Sequence, residues 1–184
     1  MKFKNIFLFV ILVISSMTVA TNFEFFLEKK YVNSDYYLIN ETGGVKSPVS
    51  LKMYELIEKY SEEYDIPKHI AYNVAYLETR YEGPFDWNYN PYLTSNAGAE
   101  GPMQIMPSTA KFINKEKVDN HVLRTNLNLN IETSMKLLRR LYDKYGSWSL
   151  VCGCYNTGQP IVNSYAVFCS TNTNYRSNSV SPNK

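Results

Sequence analysis

The 184-residue chain is poor in the side chains that build metal sites, with two histidines and three cysteines. His69 and His121 stand far in sequence from Cys152, Cys154 and Cys169. A C-x-C pair with no second pair or nearby histidine falls short of the four ligands of structural zinc. Charge of one sign is lacking too, since 19 Lys and Arg face 17 Asp and Glu. That near-balance excludes the basic footprint of a nucleic-acid binder. Long apolar runs are missing as well. The longest, residues 6–14, is too short for a comfortable membrane span.

That short run has a use. Lys2 and Lys4 precede it, and Ser15, Ser16 and Ala20 follow, the layout of a secretory signal peptide ending near Ala20. An uncleaved anchor is the rival reading; no cysteine follows to make a lipoprotein. Without residues 1–20, Lys2 and Lys4 are lost and 17 basic residues remain against 17 acidic. Export to the periplasm or cell envelope permits one disulfide, Cys169 with Cys152 or Cys154, and leaves a cysteine over. Otherwise the three are small buried hydrophobes.

Hydrophobic residues make up 45% and charged residues 20%, the balance of a globular chain. Aromatics are abundant, with 16 Tyr. Ring faces pack on sugar C–H groups while hydroxyls bond to sugar oxygens. A codon-biased genome would scatter tyrosine equally well.

Residues 21–47 lack clear periodicity and read as a linker or peripheral segment. Residues 170–184 are Ser/Asn-rich without an apolar face, a disordered tail. One mainly α domain is expected over residues 48–169. Ser47-Pro48 starts a helix through Leu51, Tyr54, Ile57 and Tyr60. Asp65-Ile66-Pro67 starts the next, with Ile70, Val74, Leu77 and Tyr81 at helical spacing. Residues 82–102 form a long loop rich in Gly, Pro, Asn and Tyr, of a length usually tied to function or disorder. Further helices are expected near Pro107-Ser108, over residues 128–145 with Gly146 as stop, and over 147–155 and 160–168.

The second helix holds one oddly placed acid. At 100° per residue its apolar residues form a narrow stripe, and Glu78 lies at the edge beside Leu77. Ala71 and Ala75 leave space there, while Thr79 falls on the far face. A carboxyl against apolar surface is desolvated, which raises its pKa and suits it to protonate a leaving oxygen. On helix geometry alone, a glutamate reaching out to water, or pairing with Arg80 or Lys68, is the favoured reading.

Four blocks in order go further: Leu77-Glu78-Thr79-Arg80-Tyr81, residues 95–110 (SNAGAEGPMQIMPSTA), Asn130-Ile131, and Cys154-Tyr155-Asn156-Thr157-Gly158. Together they resemble the soluble lytic transglycosylase family, related in fold to goose-type lysozyme, over about residues 65–168. The resemblance implies a mainly α, lysozyme-like domain acting on peptidoglycan strands. It makes Glu78 the catalytic group, and assigns Met103 and Gln104 to the wall of a sugar groove. Tyr155 would hold the acid by a hydrogen bond, and Asn156 would contact substrate or support the motif. Gly98 and Gly101 would admit positive φ and close approach of the saccharide. Asn130-Ile131 would support the site from behind.

Three departures stand out. Thr79 replaces the family's Ser, Pro102 its Leu, and Cys152-Gly153-Cys154 its small Ala residues. None removes a catalytic group.

The implied chemistry breaks the bond between N-acetylmuramic acid and N-acetylglucosamine and closes a 1,6-anhydro ring, with no metal or organic cofactor. A hydrolytic muramidase of the same fold is the alternative; it needs a second carboxylate, for which Glu82, Asp86 and Glu100 are the candidates. A non-catalytic glycan-binding assembly protein is another. The chain is read as a monomer, and service to an envelope-spanning secretion or conjugation assembly follows from fold-level analogy alone.

Overall fold

The computed structural model describes residues 38–39 and 45–174. The expected signal peptide, most of the expected linker, and the tail beyond residue 174 lie outside the described residues. The chain divides between Ser47 and Pro48 into two compact units. In the first, β1 (Leu38–Ile39) pairs antiparallel with β2 (Val45–Lys46), Leu38 opposite Lys46 and Ile39 opposite Val45. The second carries the helices.

Helix α1 (Val49–Glu63) starts at Pro48, whose extended backbone and fixed φ suit a helix start. Its buried stripe is Met53, Leu56, Ile57 and Tyr60. Leu51 and Tyr54, expected on that stripe, are half-buried, so the face is rotated from the predicted one. Helix α2 (Lys68–Thr79) buries Ile70, Ala71, Tyr72, Asn73, Val74 and Ala75 in sequence. A helix covered almost all round is central, not amphipathic. It stops earlier than predicted because Arg80 turns left-handed at φ 59°. Tyr81 leaves the helix and sends its hydroxyl to the Ser50 carbonyl at 2.9 Å, clamping the chain to α1.

After the long loop come α3 (Pro107–Asn114) and α4 (Asn120–Thr125). Helix α4 is unpredicted, being too short to show periodicity. Its signal was Asp119, whose carboxylate accepts from the His121 and Val122 amides at 2.8 and 3.2 Å. Helix α5 (Leu127–Tyr145) follows, capped by Asn126 and ended by Gly146. Its inner face places Ile131, Met135 and Leu138 in the core. Tyr142 stacks on Trp148, ring centroids 4.3 Å apart.

Helices α6 (Trp148–Thr157) and α7 (Ser164–Thr171) pack on one another and on α2. The Cys152–Cys169 disulfide joins them, and Cys154 stays free. Closing a loop of that size stabilises by about 3 kcal/mol on chain-entropy grounds. Gly153 sits where a Cβ would come within 1.7 Å of the Ile161 carbonyl oxygen. The glycine therefore permits the backbone after α6 to pass close to the helix, a role beyond lowered helix propensity. Helix α7 runs two residues past the predicted end of the domain. Among the described residues no helix is long and apolar enough to cross a membrane.

Candidate active site

Glu78 stands in the last turn of α2, half-buried. Neither cation proposed from the sequence reaches it. Lys68 is paired with Glu58, and the Arg80 guanidinium lies over the Tyr76 ring at 5.3 Å. Its partner is a hydroxyl: Tyr165 of α7 donates to Glu78 Oε1 at 2.6 Å. Burial pushes the Glu78 pKa above the ordinary carboxylate range, and the Tyr165 hydrogen bond offsets part of that rise. Position adds a further physical cause, because the negative end of a helix disfavours an anion in its last turn. The Tyr165 hydroxyl is held protonated in turn, first by its own burial and then by the Glu78 charge. It acts as a fixed donor.

Tyr155 lies close enough for the Glu78 charge to raise its pKa, after desolvation, yet its own hydroxyl donates to the Met103 carbonyl at 2.7 Å. The tyrosine holding the acid is thus Tyr165, and Tyr155 holds the loop behind it. Tyr165 is the residue that reading the sequence missed. Its separation of 87 residues from Glu78 offers no local signal.

Met103 corrects the resemblance more sharply. Its side chain is fully buried, so it serves the core and not a groove wall. Its amide donates to Asn130 Oδ1 at 3.0 Å. Asn130, also fully buried, donates to the carbonyls of Glu100 at 2.8 Å and Leu123 at 2.9 Å. One side-chain amide therefore fixes the loop from behind, the supporting role expected of it. Gly101 has positive φ, as anticipated, but for another contact: a Cβ there would lie 2.6 Å from Asn130 Nδ2. Glycine admits the asparagine, not a saccharide. Gly98, at φ 85°, has open space where its Cβ would be.

Thr79 is not on a free face. It is buried, and its hydroxyl lies 2.8 Å from both the Pro102 carbonyl oxygen and the Tyr89 hydroxyl. The residue after Glu78 thereby ties α2 to two points of the long loop, with Pro102 supplying a carbonyl as any residue could. Gln104 is half-buried, and its Nε2 donates to the carbonyls of Gly101 at 2.9 Å and Leu93 at 3.3 Å, while its Oε1 accepts no hydrogen bond among the described residues. Asn156 is exposed and accepts from Asn163 at 3.0 Å. Tyr155 and Asn156 line a groove of about 560 Å³ together with Met106, Phe112, Leu137 and Leu141.

Residues 55–167 match the transglycosylase SLT domain. This chain belongs to the transglycosylase SLT family. It is 29% identical over 72 residues to membrane-bound lytic murein transglycosylase D of Escherichia coli K12, and equally to that of Escherichia coli O6:H1. Those alignments cover 39% of this chain and 16% of the relatives' length. The solved complex of the 70-kDa soluble lytic transglycosylase with bulgecin A is 26% identical, with a TM-score of 0.49 over 63% of this chain and 18% of that one.

The SLT chain has three other carboxylates that were candidates for positioning water. Glu100 is 3% exposed, accepts from Thr94 at 2.7 Å and pairs with Arg124 at 3.6 Å. Asp86 accepts from the Asn88 amide and so shapes its own turn. Glu82 lies beside Gly83 in a separate cavity with Tyr76 and Phe168. Among the described residues no group of three His, Cys, Asp or Glu side chains could hold a metal ion.

Proposed function

We propose that this SLT-family chain is a peptidoglycan lytic transglycosylase in which Glu78 is first acid and then base. The observation that carries the reading is a half-buried carboxyl with a raised pKa, held by the Tyr165 hydroxyl and, among the described residues, by no cation. Such a group retains its proton nearer neutrality and can give it to the glycosidic oxygen between N-acetylmuramic acid and N-acetylglucosamine. As the bond breaks, the substrate's acetamido group stabilises the positive charge. The carboxylate of Glu78 then accepts the proton of the muramyl C6 hydroxyl, whose oxygen closes the 1,6-anhydro ring. Water is not consumed, and Glu78 ends protonated as it began.

Tyr165 keeps Oε1 fixed through both transfers and eases the anionic interval by donating to it. Gln104 Oε1, Asn156 and the open side of Gly98 are the remaining candidates for sugar contact. Tyr155 steadies the loop through its bond to the Met103 carbonyl. The names of the relatives concern murein, which agrees with this substrate, and an enzyme acting on the wall works outside the cytoplasm.

The rival hydrolase would need a carboxylate to position water. The burial and ion pair of Glu100 argue against that role. The test compares the chain and Glu78→Gln on purified peptidoglycan, with products weighed by mass spectrometry. Anhydro-muropeptides from the wild type alone are the expected result. Reducing-end muropeptides would establish a muramidase, and binding without products a non-catalytic glycan binder.

A further inference from the structure

Tyr165 reaches Glu78 from α7, a helix with few anchors of its own. It is eight residues long and buries Ala166 and Cys169 alone. A helix of that length is marginal by its own hydrogen bonds. Val167 and Phe168 are exposed, with the Phe168 ring resting on Tyr76, centroids 5.8 Å apart. Asn163 caps the first turn by accepting from the Ala166 amide at 2.9 Å. At the other end Asn73, buried in α2, donates to the carbonyls of Cys169 at 2.9 Å and Asn172 at 2.7 Å. Such polar and ring contacts tether a short helix without fixing its rotation. A covalent bond fixes it, and one joins Cys169 to Cys152 of α6.

Tyr165 and Cys169 stand four residues apart, which makes them neighbours on one side of α7. The disulfide therefore pins α7 one turn from the hydroxyl that donates to Glu78 Oε1 at 2.6 Å. A displacement of about 1 Å would end that hydrogen bond. Resting on the reading of Glu78 as acid and base, we infer that Cys152 and Cys169 are positioning residues whose oxidation switches the enzyme on by setting Tyr165 against Glu78.

The oxidant is a disulfide donor, for which oxidised glutathione serves as probe. One cysteine thiolate attacks it and releases a glutathione; the other thiolate then displaces the second glutathione and closes the Cys152–Cys169 bond. Two electrons pass from the cysteine pair to the donor, and the two thiol protons end on the two glutathiones. Both cysteines are fully buried in the oxidised chain, so a reductant reaches the bond only when α7 lifts. In the reduced chain α7 keeps its caps and loses its register, and Tyr165 leaves the carboxylate. The chain is thus weak in a reducing compartment and active once oxidised.

The full chain is prepared under dithiothreitol and then oxidised with oxidised glutathione, and both forms are assayed on peptidoglycan. Tyr165→Phe is treated in the same way. Oxidation should raise kcat/KM roughly tenfold in the wild type and less than about twofold in Tyr165→Phe. Cys152→Ala/Cys169→Ala should match the reduced wild type. An equal gain in both backgrounds would show that the bond serves stability alone, and no gain in either would remove the switch.

Hydrogen exchange reads α7 without catalysis. Its amides should exchange roughly tenfold faster in the reduced chain, while those of α2 and α5 keep their protection. Unchanged protection of α7, or a reduced chain unfolded throughout, overturns the inference. If oxidation protects α7 in a chain that degrades no wall, the transglycosylase reading fails and the hold of the disulfide on α7 stands.

Discussion

Two glutamates, one ending α2 and one in the loop after it, show how partner choice divides chemistry from architecture. Both are withdrawn from water. Glu100 is almost wholly buried and has a counter-ion, Arg124, and a hydroxyl donor, Thr94. Its backbone joins the loop to Ile105 by hydrogen bonds of 3.0 and 3.1 Å in a short two-way bridge. Glu78 is less buried and, among the described residues, receives the Tyr165 hydroxyl alone. Burial with a compensating cation makes a structural anchor. Burial without one leaves the proton as the cheapest partner, and the group becomes an acid.

The strongest way to break this contrast is to turn each carboxyl into its amide. Glu78→Gln should cost roughly a thousandfold in turnover of peptidoglycan, since both proton transfers are lost, while the fold persists. Should lysis survive that substitution, the assignment of Glu78 fails. Glu100→Gln should instead reduce stability by about 1–2 kcal/mol, measured by denaturant unfolding, and leave turnover per folded molecule nearly intact. A large catalytic loss in a stably folded Glu100→Gln would give that residue a chemical role and revive the muramidase.

Removing the support behind the loop comes next. Asn130→Ala strips partners from one buried amide and two carbonyls, and about 3 kcal/mol of stability should go with it. An unfolding midpoint close to the wild type's would show that the loop does not depend on that amide.

Tyr165→Phe tests the single bond at Glu78. A loss of roughly tenfold in kcat/KM is expected. Because the hydroxyl lowers the Glu78 pKa, its removal should move the alkaline limb of the pH–rate profile to higher pH. A limb that stays put or moves to lower pH would show that Tyr165 does not stabilise the carboxylate.

The smallest effect is on melting temperature. Glu78 titrates higher in the folded chain than in the unfolded one, so the stability it contributes is fully present below the unfolded pKa. That stability is lost as pH rises through the folded value. Glu78→Gln should therefore melt above the wild type at about pH 7, and the gap should close near about pH 4. A gap that widens in acid would mean the folded carboxylate is favoured rather than penalised.

Much of this was legible beforehand, and the limits follow from what periodicity can sense. Helix starts at Pro48 and Pro67, the stop at Gly146 and the face of α5 through Ile131, Met135 and Leu138 are local facts of backbone geometry, and the structure repeats them. The face of α1 came out rotated because a Leu or Tyr at helical spacing fits either side of its neighbour. Helix α4 stayed hidden because six residues give under two turns of pattern. The stripe on α2 misled for the opposite reason: a helix buried on nearly every side has no solvent face for the pattern to contrast with.

By itself the sequence determined the family blocks, the helical order and the one acid at the edge of an apolar stripe, because each depends on residues within a few turns of one another. Only the tertiary structure decided who touches that acid. It selected Tyr165 over Tyr155, drew Met103 into the core, gave Gly101 to Asn130, and chose Cys152 as the partner of Cys169. Those outcomes depend on how α6 and α7 pack against α2 and on how the long loop folds over Asn130. The free energy of such contacts is set by distances between segments far apart along the chain, and no local spacing encodes them.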